Sequence, residues 1–179
     1  TLVTAGIPLD AAVTGVTSVV GTPGRMERVD AGQDFLAIVD YAHKPAALEA
    51  VLRSVREVTN GRIILVIGCG GDRDRGKRPV MGRLAARGAD VVIFTNDNPR
   101  SEDPRSIIAA MQSGADAVPA EDRAQLSVEP DRAAAIALAV HHATAGDTVV
   151  VAGKGHEQGQ ETAGVVRPFD DRVVLRAAI

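Results

Sequence analysis

The stretch Asp97-Asn98-Pro99-Arg100 sets a carboxylate, an amide and a guanidinium side by side. A carboxylate receives an ammonium, and a guanidinium clamps a carboxylate through two parallel N–H bonds. Pro99 fixes its own φ and restricts Asn98 to extended backbone, which stiffens the loop and aims Arg100. The same residues also make an ordinary polar turn, with Ser101 or Asp103 capping the helix that follows. The loop alone leaves both readings open.

Three other segments carry comparable chemistry. Gly68-Cys69-Gly70-Gly71 leads into Asp72, Arg73, Asp74, Arg75, Lys77 and Arg78. The adjacent glycines permit close backbone approach, and an arginine held there suits a carboxylate. Gly153-Lys154-Gly155-His156-Glu157 offers Glu157 to an ammonium, with the Gly153 carbonyl beside it. Asp40, Tyr41 and His43 suit a nucleotide, with rings near a base and Asp40 near a ribose hydroxyl. Each has a plainer alternative, respectively a loop of mutually compensating ion pairs, a buried or capping pair and a helix N-terminal turn.

The elements that must position these groups follow from hydrophobic periodicity. Phe35–Val39, Ile63–Ile67, Val91–Phe94 and Thr148–Ala152 are short, β-branched and apolar on both faces, as in a parallel sheet covered by helices. Helical patterns alternate with them: Pro45 towards Gly61, Val80–Arg87, Pro104–Gln112, Asp131–Ala143 and Asp170–Ala178. Arg25–Val29 pairs with Phe35–Val39, and Ala163-Gly164 turns a hairpin between Gln160–Thr162 and Val165–Arg167. This predicts an α/β, doubly wound, mostly parallel, Rossmann-like sheet with an antiparallel edge hairpin. Ligands of such sheets sit beyond the carboxyl ends of the strands. All four chemical segments directly follow predicted strands, so they converge on one edge.

Bulk properties narrow the classes. The 179 residues suit one domain, or one domain plus a fragment of a neighbour, and 45% hydrophobic with 24% charged residues is ordinary for a globular protein. Net charge −3 and scarce aromatics argue against a nucleic-acid or membrane-surface role. No apolar run approaches a membrane span, no signal peptide is evident, and the single Cys69 fits a reducing, cytoplasmic setting. Gly71–Arg78 nearly matches a phosphate loop, but Arg78 stands where a hydroxyl must hold Mg²⁺, and Asp72 and Asp74 would oppose a polyphosphate. His141-His142 lack ligand partners, so no metal site is expected, and Cys69 lacks a triad.

Together, "GRMERV" (24–29), "DYAHKP" (40–45), "GCGGDRDRGKRPVMG" (68–82), "DNPR" (97–100) and "GKGHEQGQ" (153–160) resemble the C-terminal domain of the Mur ligases. The resemblance runs from Gly24 to the end, and residues 1–23 resemble the tail of the family's central ATPase domain. It implies an ATP- and Mg²⁺-dependent enzyme that adds an amino acid to a UDP-MurNAc-peptide through an acyl phosphate. The phosphate loop and Mg²⁺ ligands would lie in the central domain and no catalytic residue in this chain, which would work with its own N-terminal and central domains and be inactive alone. In the family, "DNPR" marks members that add meso-2,6-diaminopimelate to UDP-MurNAc-L-Ala-D-Glu, whereas lysine-adding members lack the arginine. Carried over by position, Arg73, Asp97, Asn98, Pro99, Arg100, Gly153 and Glu157 would bind diaminopimelate, and Arg25, Asp40 and His43 would contact ATP. Lys44 departs from the family's Thr or Asn. Competing readings are a folylpolyglutamate or cyanophycin synthetase domain, or a non-catalytic nucleotide-binding module.

Overall fold

A computed structural model describes residues 4–18 and 21–179. Six strands form one sheet in the order β1 (Glu27–Arg28), β2 (Leu36–Asp40), β6 (Thr148–Ala152), β3 (Ile63–Ile67), β4 (Val91–Phe94), β5 (Gln125–Val128). All neighbouring pairs are parallel except β1 with β2, which makes the antiparallel edge. The second antiparallel unit, β7 (Gly159–Thr162) with β8 (Val165–Pro168), is a separate two-stranded sheet.

Alternation along the strands splits the core into two layers. Ile38, Leu65, Val92, Phe94 and Val150 face α2 (Pro45–Arg56), α3 (Lys77–Gly88) and α4 (Pro104–Asp116). Ala37, Val39, Ile64, Val66, Ile93, Val149 and Val151 face α5 (Arg132–His142) and α6 (Asp171–Ala178). The β-branched residues that made these strands legible are therefore buried on both faces. The first helix, α1 (Leu9–Thr17), leaves Leu9, Val13 and Val16 exposed.

Pro45 starts α2 at its first turn, and Asp103 rather than Ser101 caps α4 by accepting from the Arg105 N–H. α3 and α4 touch backbone to backbone through glycines. A Cβ on Gly82 would lie 1.8 Å from the Met111 carbonyl, and one on Gly114 would lie 1.8 Å from the Pro79 carbonyl. Gly82→Ala should accordingly destabilise the chain by about 1–3 kcal/mol through overpacking, read as a lower urea midpoint. An unchanged midpoint would show that the helices separate freely.

Register brings the strand ends level. Asp40 pairs with Ala152, Ala152 with Ile67, Ile67 with Phe94, and Phe94 with Val128. At about 4.8 Å per strand, Asp40 and Phe94 stand about 14 Å apart along this row. The helices after β2, β3 and β4 cover one face, while the chain after β6 returns through α6 to the other. The crevice thus opens at the end of β6, between two strands whose connections leave the opposite way.

Candidate functional site

Beyond that row lies a cleft of about 670 Å³, lined among others by Tyr41, His43, Arg73, Asp97, Asn98, Arg100, Gly153 and Glu157. Seven of the ten residues singled out in the sequence therefore share one cavity. Pro99 supports it from behind, because a Cβ on Gly71 would meet the Pro99 carbonyl at 1.8 Å. Arg25 lies over the Tyr41 ring, 5.4 Å from its centroid, and Asp40 accepts from the Met26 N–H at 2.8 Å.

The loop after β3 and the loop after β4 are zipped together. Gly71 N–H donates to the Asn98 carbonyl at 2.8 Å, and Arg100 Nη1 donates to the Gly71 carbonyl at 2.8 Å. Asp72 accepts from the Ser101 hydroxyl and backbone, while Glu102 accepts from both terminal nitrogens of buried Arg78 and from the Asp72 N–H. Of the charges in the glycine-rich loop, Asp72, Arg75 and Arg78 are thus committed to internal pairs. Arg73 spends only Nη1, on its neighbour's carbonyl, and remains at the cleft.

Arg100 is held from the other side by the β7–β8 hairpin. Its N–H donates to the Glu161 carbonyl, its carbonyl accepts from Ala163 N–H, and Nε lies 3.3 Å from Glu161 Oε2. This pinning sustains a left-handed φ of 54°, which is unfavourable for a residue with a Cβ. Among the described residues Arg100 Nη2 has no partner. Gln160 Nε2 fixes the Asp97 carbonyl at 2.8 Å, and Glu161 N–H donates to Asn98 Oδ1 at 2.9 Å.

The acidic side is built differently. Asp97 is buried, and its carboxylate accepts no hydrogen bond among the described residues. Burial pushes its pKa up, against the opposing pull of Arg132 and Lys154. Gly153, at φ 115°, passes so close that a Cβ would sit 2.7 Å from Asp97 Oδ2. Burial would also raise Glu157, but hydrogen bonds from Lys154 and Asn98 outweigh it and hold the carboxyl below its usual range. Glu157 Oε2 accepts from Lys154 Nζ at 3.0 Å and from Asn98 Nδ2 at 2.8 Å, leaving Oε1 unspent.

Two buried cations were not singled out from the sequence. Lys154, its side chain wholly buried, joins Asn98 to Glu157. Arg132, in the first turn of α5, pairs twice with Asp171 and donates to the Asn96 and Ala152 carbonyls, tying β4 and β6 together at the cleft. No sequence signal marks Arg132, because an arginine heading an alanine-rich helix is routinely solvated. Beyond β2, the Tyr41 ring stands 4.5 Å from His43 and 5.0 Å from His156, with Lys77 Nζ donating to the His43 carbonyl.

Hydrogen bonds from Arg78 and Asp72 bring Glu102 down to about 2 from 4.5. Asp147, which burial alone would raise, is brought to about 2 from 3.8 by bonds from Arg62 and Thr144. Folded values below unfolded ones stabilise fully above the unfolded pKa and are lost as pH falls through the folded value. Urea stability should therefore fall as pH drops from about 4.5 towards 2, and Glu102→Gln should shrink that fall. An identical acid limb in the variant would exclude Glu102 from it.

A doubly wound sheet with a cleft beyond its carboxyl edge, lined by unspent guanidinium groups and unspent carboxylates, defines an α/β domain of the Rossmann-like class. A family model described as "Mur ligase, glutamate ligase domain" matches residues 24–155, and the chain belongs to that family. It is 60% identical over 178 residues to the UDP-N-acetylmuramoyl-L-alanyl-D-glutamate--2,6-diaminopimelate ligase of Streptomyces avermitilis, covering 99% of this chain and 35% of that protein. The ligase of the same name from Corynebacterium glutamicum is 56% identical over 164 residues, covering 90% and 32%. A solved structure of a ligase of that name superposes with TM-score 0.82 at 44% identity, covering 98% of this chain and 35% of the other. A folylpolyglutamate synthase from Thermotoga maritima superposes with TM-score 0.59 at 25% identity, covering 85% and 32%. The chain spans about a third of the length of these curated relatives.

Proposed function

We propose that this chain is the C-terminal part of an ATP-dependent ligase that adds meso-2,6-diaminopimelate to UDP-MurNAc-L-Ala-D-Glu in peptidoglycan synthesis. The carrying observation is the charge pattern of the cleft. Arg73 and Arg100 offer unspent N–H groups, while Asp97 and Glu157 offer unspent carboxylate oxygens in the same cavity. Diaminopimelate ends in a carboxylate and an ammonium, where lysine ends in an ammonium alone. A guanidinium clamp gives the carboxylate directional bonds that a lone ammonium cannot use. The high identity to ligases named for this amino acid supports the same reading.

In this reading Arg100, Arg73 and Asn98 take the carboxylate, and Asp97, Glu157 and the Gly153 carbonyl take the ammonium. Pro99 keeps the loop extended. The fit to ATP rests on the other end of the row, where the Tyr41, His43 and His156 rings cluster and Arg25 lies on Tyr41. Arg25 and His43 would face the nucleotide, and Asp40 would act by fixing the Met26 turn beside Arg25. When bound, ATP supplies the phosphoryl group that activates the acceptor carboxylate. We place the Mg²⁺ ligands, the phosphate loop and the acceptor site in a preceding central domain, of which residues 1–23 are the tail and 24–179 the following domain. No helix among the described residues is long and apolar enough to cross a membrane, and the proposed setting is the cytoplasm.

The test is phosphate release by the complete enzyme, offered either diaminopimelate with UDP-MurNAc-L-Ala-D-Glu or glutamate with a folate acceptor. Turnover with the first alone supports the reading. Turnover with folate alone would move the chain to the folylpolyglutamate synthases.

A further inference from the structure

The amide of Asn98 has only one orientation that its surroundings accept. Its Oδ1 meets two groups, Lys154 Nζ at 3.0 Å and the Glu161 N–H at 2.9 Å. An ammonium and a backbone N–H donate and cannot accept, so an oxygen must stand there. Its Nδ2 meets Glu157 Oε2 at 2.8 Å, and a carboxylate cannot donate. Turning the amide over would set donor against donor twice and acceptor against acceptor once. The second Nδ2 hydrogen remains unspent among the described residues, and Asn98 lines the cleft.

Lys154 does two things here. It supplies one of the two donors that fix the amide, and its charge offsets Glu157, whose Oε2 it shares with Asn98. The side chain is 0% exposed, and burying an ammonium is costly unless a specific arrangement needs it. Gly153 at φ 115° and Gly155 at φ 54° bracket it, and a Cβ on Gly155 would collide with Tyr41 and the Gly24 carbonyl. The tight path of this segment carries the lysine stem inward instead of along the surface.

We propose that Lys154 is a positioning residue that sets Asn98 as a donor towards the cleft and so makes the site select an amino acid whose far end carries a carboxylate. Lys154 does not touch the substrate. Without it, Glu157 is left uncompensated beside Asn98, which repels a carboxylate and attracts a bare ammonium. The consequence is a change in selectivity, not a uniform loss. The inference rests on the diaminopimelate reading above.

The experiment uses the complete enzyme, unsubstituted and as Lys154→Met and Lys154→Gln, with kcat and KM measured for diaminopimelate and for lysine, and thermal melting alongside. The unsubstituted enzyme comes first: absence of a preference for diaminopimelate there overturns the functional reading and this inference with it. Given that preference, the ratio of kcat/KM for diaminopimelate over lysine should fall at least about tenfold in whichever variant folds, mainly through a higher KM for diaminopimelate. An unchanged ratio, an equal fall for both amino acids, or failure of both variants to fold would make Lys154 a purely structural tie and overturn the proposal.

Discussion

Arg100→Ala in the complete enzyme should lower kcat/KM for diaminopimelate by about thirtyfold or more, the equivalent of about 2–5 kcal/mol for losing one partner of a specific charge pair. The expectation follows from how the side chain is held. The hairpin grips the Arg100 backbone on both sides and Glu161 takes Nε, so the remaining guanidinium edge stays in the cleft. Alanine has a Cβ as arginine does, so the left-handed backbone costs the same in both and the fold should survive. Arg100→Lys should recover little, because a point ammonium lacks the two-pronged geometry. Unchanged kinetics for diaminopimelate in the alanine variant would remove Arg100 from the site.

The second large effect is on stability. Arg132→Met should destabilise the chain by about 3–5 kcal/mol, because it strands Asp171 at 0% exposure without its partner. Two carbonyls, of Asn96 and Ala152, lose a donor as well. The double variant Arg132→Met with Asp171→Leu should regain most of the loss, since a buried pair replaced by apolar groups is often neutral. Urea unfolding of the three proteins decides it. A single variant as stable as the parent would show that Asp171 finds other partners.

The layered core was legible because four strands are apolar on both faces, and Pro45, Pro104 and Gly88 punctuate the helices between them. β5 escaped notice for the opposite reason: Gln125–Val128 is half exposed at the sheet edge, so it has neither an apolar run nor a strong β-branched signal. The hairpin at Ala163-Gly164 was legible, but its place was not. Nothing in its residues announces that Gln160 and Glu161 would bind the Asp97-Asn98-Pro99-Arg100 loop. The candidate residues that line the cleft were readable as polar groups that follow strands, since register then sets them in one row, whereas Arg25 precedes β1. Lys154 and Arg132 were not, because a cation looks solvated in a sequence until the fold supplies buried partners. The sequence also left open whether the Asp72–Arg78 charges compensate one another or bind a ligand. The structure divides them, with Arg78 and Asp72 paired internally and Arg73 left at the cleft.

On the proposed function, the cleft reads a carboxylate and an ammonium together at one end of an amino acid. The most direct measurement is the ratio of kcat/KM for meso-diaminopimelate over lysine in the complete, unsubstituted enzyme. A ratio of about a thousandfold or more is expected, because a site that hydrogen-bonds a group discriminates strongly against an analogue lacking it. A ratio near one, or a preference for lysine, would contradict it.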